Sequence, residues 1–292
     1  GYYSVEEGAG DVVLLPDSGL LHVGLADNCD YYSESRLRRY DPDGTVLWER
    51  IIPSGQVTMA AKGSIAHVAV ASQDSVRVMD MGGNAVGGFY VSSSDIQKIL
   101  WADDSTLFMV NGTNLERVDI GGVVLASATI GSTVYDMHWD GQQLFVLASD
   151  GVHRFSLDLS PLGQAALPGV GADSRFSVSD SSLYVNTTSG LYQVAEDGSS
   201  ALLFPWPALP NLTTTGCAVR NGKVLSVGNT DISGRATGIM RTLSMSGEAA
   251  QHDQDVEVLL QVDSTWTEFV GGWYPWNRKA DISGFVVNHG TD

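Results

Sequence analysis

Lysine, cysteine and long apolar runs are scarce in this chain. Only four of its sixteen basic residues are lysine, against 34 acidic residues, and the formal charge is −18. A surface this acidic repels phosphate backbones and anionic lipid, which argues against a nucleic-acid partner and against a membrane surface. No apolar run approaches the ~18 residues of a bilayer-spanning helix, so membrane insertion is not expected. The two cysteines, Cys29 and Cys217, have neither zinc nor redox spacing. They admit one disulfide or two separate thiols. Helical periodicity is missing from every segment. So are a nucleophile elbow GxSxG and a phosphate loop, since GAG at 8–10 is a lone glycine pair. No catalytic constellation is assigned. His138 stands alone on an expected strand, where a histidine is more often part of the packing than a base.

What the chain has is a repeat. With 292 residues, 43% of them hydrophobic, it can bury the core of one large all-β domain. Segments that run strand, turn, strand recur as RRYDPDGTVL, RVMDMGGNAV, ERVDIGGVVL, RFSLDLSPLG, YQVAEDGSSAL, RTLSMSGEAA and KADISGFVV. Their anchors are Gly44, Gly83, Gly122, Ser160, Gly198, Gly247 and Gly284, spaced 39, 39, 38, 38, 49 and 37. A second family of turns, from LLPDSGLLHV to QVDSTWTEFV, runs in step with the first. Two interleaved sets of seven turns predict seven four-stranded antiparallel units of about 39 residues, a seven-bladed β-propeller. The expected blades are 11–51, 56–91, 95–129, 133–167, 174–204, 213–254 and 256–290 of a single domain, with 1–10 as a candidate ring-closing strand.

The unit RRYDPDGTVLWER resembles those of the broad propeller group that includes PQQ-like proteins, with Asp, Gly and a Trp after the turn. The resemblance is one of architecture. Only this unit keeps the Trp, so no quinone site is implied. WD-repeat signatures and the sialidase-type Asp box are not met.

Residues that recur in register belong to the scaffold. Arg38, Arg77, Arg154, Arg241 and Arg278 share one slot, which reads as stems packed between blades with locally paired heads. Asp41, Asp80, Asp119 and Asp281, three before each anchor, read as turn carboxylates that accept backbone N–H groups. Residues that break the repeat are the site candidates. They are the inserts ADNCDYYSES, GNTDISGRAT and GGWYPWNR between second and third strands, and PWPALPNLT between blades 5 and 6. All four are expected on one face of consecutive blades. They collect Tyr31, Tyr32, Trp206, Trp273, Tyr274 and Trp276, rigid amphipathic surfaces suited to a protein partner or a glycan. Asp11, Asp95 and Asp136 near the starts of inner strands, with His252, Asp255 and Glu257, form a candidate oxygen-rich Ca²⁺ site at a channel mouth.

The function expected is a non-catalytic binding propeller. Alternatives are a Ca²⁺-dependent lactonase, hydrolase or lyase, and a structural module of a larger assembly. The opening GYYSVEEG, without Met, reads as a processed chain or a piece of a longer one. Sequons at Asn111, Asn186 and Asn211 are compatible with a secreted eukaryotic protein, and the location expected is extracellular, periplasmic or cell-surface.

Overall fold

The computed structural model describes residues 6–15, 17–28, 32–52, 57–61, 67–72, 74–90, 96–179, 182–205, 213–220, 223–232, 235–244, 256–268 and 277–288. Among them there is no helix, and all 25 strands pair antiparallel into six sheets. Sheet 1 is β1 (Glu6–Leu14), β2 (Leu20–Asn28), β3 (Tyr32–Tyr40) and β4 (Val46–Ile52). Sheet 2 is β5 (Val57–Ala61), β6 (His67–Ser72), β7 (Ser75–Asp80) and β8 (Ala85–Tyr90). Sheet 3 is β9 (Ile96–Trp101), β10 (Thr106–Asn111), β11 (Asn114–Asp119) and β12 (Val124–Thr129). Sheet 4 is β13 (Val134–Trp139), β14 (Leu144–Ala148), β15 (Gly151–Phe155) and β16 (Pro161–Ala165). Sheet 5 is β17 (Arg175–Ser179), β18 (Ser182–Asn186), β19 (Gly190–Val194) and β20 (Ser200–Pro205). Sheet 6 has five strands, β21 (Thr213–Arg220), β22 (Lys223–Ile232), β23 (Arg235–Ser244), β24 (Val256–Glu268) and β25 (Asn277–Asn288).

The chain forms two compact units, Gly1–Phe145 with Arg154–Leu162, and Val146–His153 with Gly163–Asp292. In the first, the leading strands are neighbours: β1 beside β5, β5 beside β9, β9 beside β13. In the second, β17 lies beside β21. The second strands of sheets 2 to 5 are buried on both faces, so they read as largely apolar runs such as TLFMVN or LFVLA. Strand β6 shows how one run serves two cores. Val68 and Val70 pack with Leu21, Leu37 and Ile52 of sheet 1, while Ala69 and Ala71 pack with Trp101, Leu107 and Met109 of sheet 3. Small residues on the second face leave room for the indole.

One turn geometry recurs between third and fourth strands. In sheet 1, Gly44 N–H donates to Asp41 O and Asp41 N–H to Thr45 O, a turn closed by a residue in the left-handed region. The same pair of bonds closes Asp80–Asn84, Asp119–Val123, Ser156–Ser160 and Ala195–Ser199. The left-handed residues are Gly44, Gly83, Gly122, Leu159 and Gly198, spaced 39, 39, 37 and 39. The fourth anchor is therefore Leu159 and not Ser160. Asp41, Asp80 and Asp119 accept the expected backbone bonds, for instance from Thr45 N–H at 2.8 Å and Asn84 N–H at 2.8 Å. Ser156 substitutes its hydroxyl, accepting from Ser160 N–H at 3.1 Å. The side chain of Asp281 lies outside the described residues.

Two differences from the sequence expectation concern the ends of the chain. Residues 6–10 begin β1, where Glu6 pairs with Asp27, so they belong to the first strand of sheet 1. Near the other end, 256–290 gives two long strands on sheet 6 in place of four short ones. The expected turn at Gly284 falls inside β25, opposite Leu260, and the turn near Asp263 is absorbed as an irregularity between Val262 and Ser264. A dozen registered pairs between β24 and β25 outweigh the local turn preference of either segment.

Candidate functional site

Most of the expected site falls outside the described residues: Tyr31, Asp95, Trp206, His252, Asp255, Trp273, Tyr274 and Trp276. For Tyr32, Asp11 and Glu257 the backbone is placed. Tyr32 opens β3 and pairs with Asn28, Asp11 sits at the irregularity of β1 between Ala9 and Val12, and Glu257 pairs with Arg241 on β24. Glu257 is thus on the fourth strand of its sheet and not at the start of an inner one, because β24 continues the hairpin ladder from β23. Asp11 and Asp136 do lie on leading strands of the first unit, with β5 and β9 between theirs. Among the described residues, no three His, Cys, Asp or Glu side chains gather into a metal-holding group.

Asp136 shares β13 with the half-buried His138, whose ring stacks on Phe145 with centroids 6.4 Å apart. Burial pushes the His138 pKa down, against the upward pull of Asp140 and Asp136. The imidazole is therefore uncharged at neutral pH.

The inserts expected as loops are hairpin extensions. Strands β2 and β3 have nine residues each, and β22 and β23 have ten, where sheets 2 and 3 use six. Pairing continues through Leu25↔Ser35, Ala26↔Glu34 and Asp27↔Ser33. The segment ADNCDYYSES is thus carried on an ordered ladder up to Asn28 and from Tyr32.

Sequence reasoning missed how neighbouring sheets are joined. The Trp48 indole N–H donates to Met81 O at 3.0 Å and Arg50 Nε to Gly83 O at 3.1 Å. Arg39 bonds both Met81 O and Asp17. A Cβ on Gly83 would lie 3.1 Å from the Trp48 ring, and one on Gly122 would lie 2.5 Å from Phe89 Cβ. The turns of sheets 2 and 3 thus dock on the outer strand of the preceding sheet, and glycine is needed there for space as well as for φ. The lone Trp after the first turn was the available signal. Of the recurrent arginines, Arg38 pairs locally with Glu49, and Arg154 with Gln143 and Leu162 O, as expected. Sequence reading also left open whether the sequons are accessible: Asn111 and Asn186 are both buried.

No family model matches this chain, and no curated protein does. Solved structures do. BamB from Moraxella catarrhalis is 12% identical with TM-score 0.52, over 90% of this chain and 96% of that one. The Neurospora crassa Pan2 WD40 domain is 11% identical with TM-score 0.54, over 75% and 86%. Kluyveromyces lactis Hsv2 is 8% identical with TM-score 0.56, over 94% and 98%. At such identities the likeness speaks to fold alone. Together with six antiparallel sheets, a repeated turn and leading strands set side by side, it establishes an all-β fold of the propeller class.

Proposed function

We propose that this chain is a non-catalytic binding propeller that recognises a protein partner through aromatic residues of its elaborated loops, in an extracellular, periplasmic or surface setting. The observation that carries this reading is the length of the β2–β3 hairpin. Three residues more per strand than in sheets 2 and 3, at ~3.3 Å each, extend it by about 10 Å. The ladder, which β1 joins as far as Glu6 opposite Asp27, carries Tyr32 at the end of a short, ordered support, with Tyr31 next to it in sequence, and such a support lowers the entropy lost when a partner is bound. Trp206 precedes sheet 6 in sequence, and Trp273, Tyr274 and Trp276 join its two long strands, so the same residue types recur at the other elaborated sheet. A protein partner is favoured over a glycan because large aromatic anchors dominate protein interfaces.

The test is partner capture by the full chain, read by crosslinking mass spectrometry. The Tyr31→Ala/Tyr32→Ala pair and Trp273→Ala/Trp276→Ala pair are each expected to lose at least tenfold of the crosslinked partner. Equal capture by all variants overturns the assignment, and glycan-array binding without a protein partner moves it to carbohydrate.

A further inference from the structure

Among the described residues, no strand lies along the outer edge of the fourth strand in sheets 1 to 5. Such edges are pairing templates, and proteins guard them with charge, proline, glycine-bearing bulges or a covering segment. Strand β4 carries Glu49 and Arg50, and its Trp48 is bonded to the turn of sheet 2. Strand β8 carries Gly87 and Gly88, and its Phe89 lies against Gly122. Strand β16 opens on Pro161 and β20 ends on Pro205. Strand β12, VLASAT, has no charge, proline or glycine. Among the described residues its guard is an irregularity at the turn end, where Arg117 pairs with Ala126 and Val118 with Val124, leaving Leu125 unmatched. Around that point Val123, Val124 and Leu125 are 60%, 51% and 50% exposed, and Ile120 is exposed too. Three consecutive exposed apolar residues on an open edge are a fault unless they are used.

We propose that the outer edge of β12 receives an extended segment of a protein partner, in which apolar residues alternate with lysine or arginine. This rests on the reading of the chain as a protein-binding propeller and adds a second surface to it. Charge selects the occupant. The chain carries −18, which sets a second copy against its own charge. On β11 and its turn, Glu116 stands opposite Ser127 and Asp119 closes the turn, while Arg117 is engaged by Asp103 at 3.0 Å. An added strand would run ~4.8 Å from β12 and about 10 Å from β11, within reach of a long basic side chain. The fold already accommodates this arrangement, since β25 adds a fifth antiparallel strand outside β24.

The probe is a fluorescein-labelled decapeptide, (Lys-Val)5, titrated onto the full chain with hydrogen exchange as readout. Binding is expected to protect backbone amides within 124–129 at least tenfold, whereas (Glu-Val)5 and a (Lys-Val)5 N-methylated at alternate residues do not bind. The charge-neutral Val124→Ser/Leu125→Ser pair is expected to weaken binding at least tenfold. These side chains are half exposed, so folding is retained; Ser127→Lys, on the same strand, serves as a second variant with the same expected loss. The Tyr31→Ala/Tyr32→Ala pair is expected to bind the peptide like the wild type, which separates failure at this edge from failure of the loop reading. Absent protection, protection elsewhere, or equal binding of the N-methylated peptide overturns strand addition. A dimer abolished by the Val124→Ser/Leu125→Ser pair assigns the edge to a second copy and overturns the basic occupant.

Discussion

Substituting alanine at the turn glycines separates two reasons for glycine that coincide in the sequence. Gly44 has φ +84° and nothing within 4 Å of where a Cβ would stand. Gly44→Ala meets only the left-handed backbone penalty, about 1–2 kcal/mol. Gly122 has nearly the same φ, +86°, but its Cβ would sit 2.5 Å from Phe89 Cβ and 2.7 Å from Phe89 Cγ. No Cβ is tolerated at such a distance, so either the turn or Phe89 must move, at a further ~1–3 kcal/mol for overpacking. Gly83, whose Cβ would lie 3.1 Å from the Trp48 ring, is expected between them. Urea unfolding followed by tryptophan fluorescence should rank the midpoints Gly44→Ala, Gly83→Ala, Gly122→Ala, from least to most destabilised, with little change in slope. A cycle with Phe89→Ala should recover a coupling of about 1–3 kcal/mol with Gly122→Ala. Equal losses at Gly44 and Gly122, or no coupling to Phe89, would refute the docking of the sheet 3 turn on the preceding sheet.

Other substitutions probe different terms. Leu159 is buried yet has φ 60°. Leu159→Gly loses the packing but relieves the backbone, whereas Leu159→Ala loses the packing and keeps the strain, so Ala should be worse by about 1 kcal/mol, the reverse of the usual order. Burial raises the Asp103 carboxyl pKa, but hydrogen bonds from Thr106, Ser105 and Arg117 outweigh it and bring it down to about 2. Its stabilisation is complete above the unfolded value near 3.8 and is lost as pH falls toward 2. With the side chain 42% exposed, solvent screening reduces this to about 1 kcal/mol, so Asp103→Asn should lower the urea midpoint at pH 7 and converge with wild type near pH 2. Buried Asn111 and Asn186 should carry no glycan in folded chain recovered from a glycosylating host, as peptide mapping would show.

What the sequence disclosed was whatever each unit must solve by itself. The carboxylates of Asp41, Asp80 and Asp119 were legible because a turn ending in a left-handed residue leaves N–H groups that the nearest side chain satisfies. The fourth turn kept that geometry with different residues. Reading Ser160 as its anchor followed turn preference, whereas the bonds start at Ser156 and place Leu159 in the left-handed position, where its burial offsets the strain. Contacts between units were not legible. Trp48 looked like a peculiarity of one repeat, yet it spans 33 residues to Met81 O in the next sheet. Nothing in a strand–turn–strand pattern states what lies against its outer side.

The same limit explains why the departures, and not the repeats, carry the functional argument. A local pattern predicts a turn at Gly284 with the force of its Asp and Gly, but pairing with a neighbouring segment is non-local, and over β24 and β25 it prevails. Likewise ADNCDYYSES reads as a loop, yet Ala26 to Asn28 find partners in Glu34 to Tyr32 and lengthen the hairpin. In both places surplus residues are taken up by added strand pairing. Sheet 6 takes its added strand on the outer edge of its fourth strand, and β12 is the corresponding strand of sheet 3. The Val124→Ser/Leu125→Ser pair is therefore the substitution that weighs most: it leaves the turn bonds of Asp119 untouched and alters only what the edge of β12 offers to a partner.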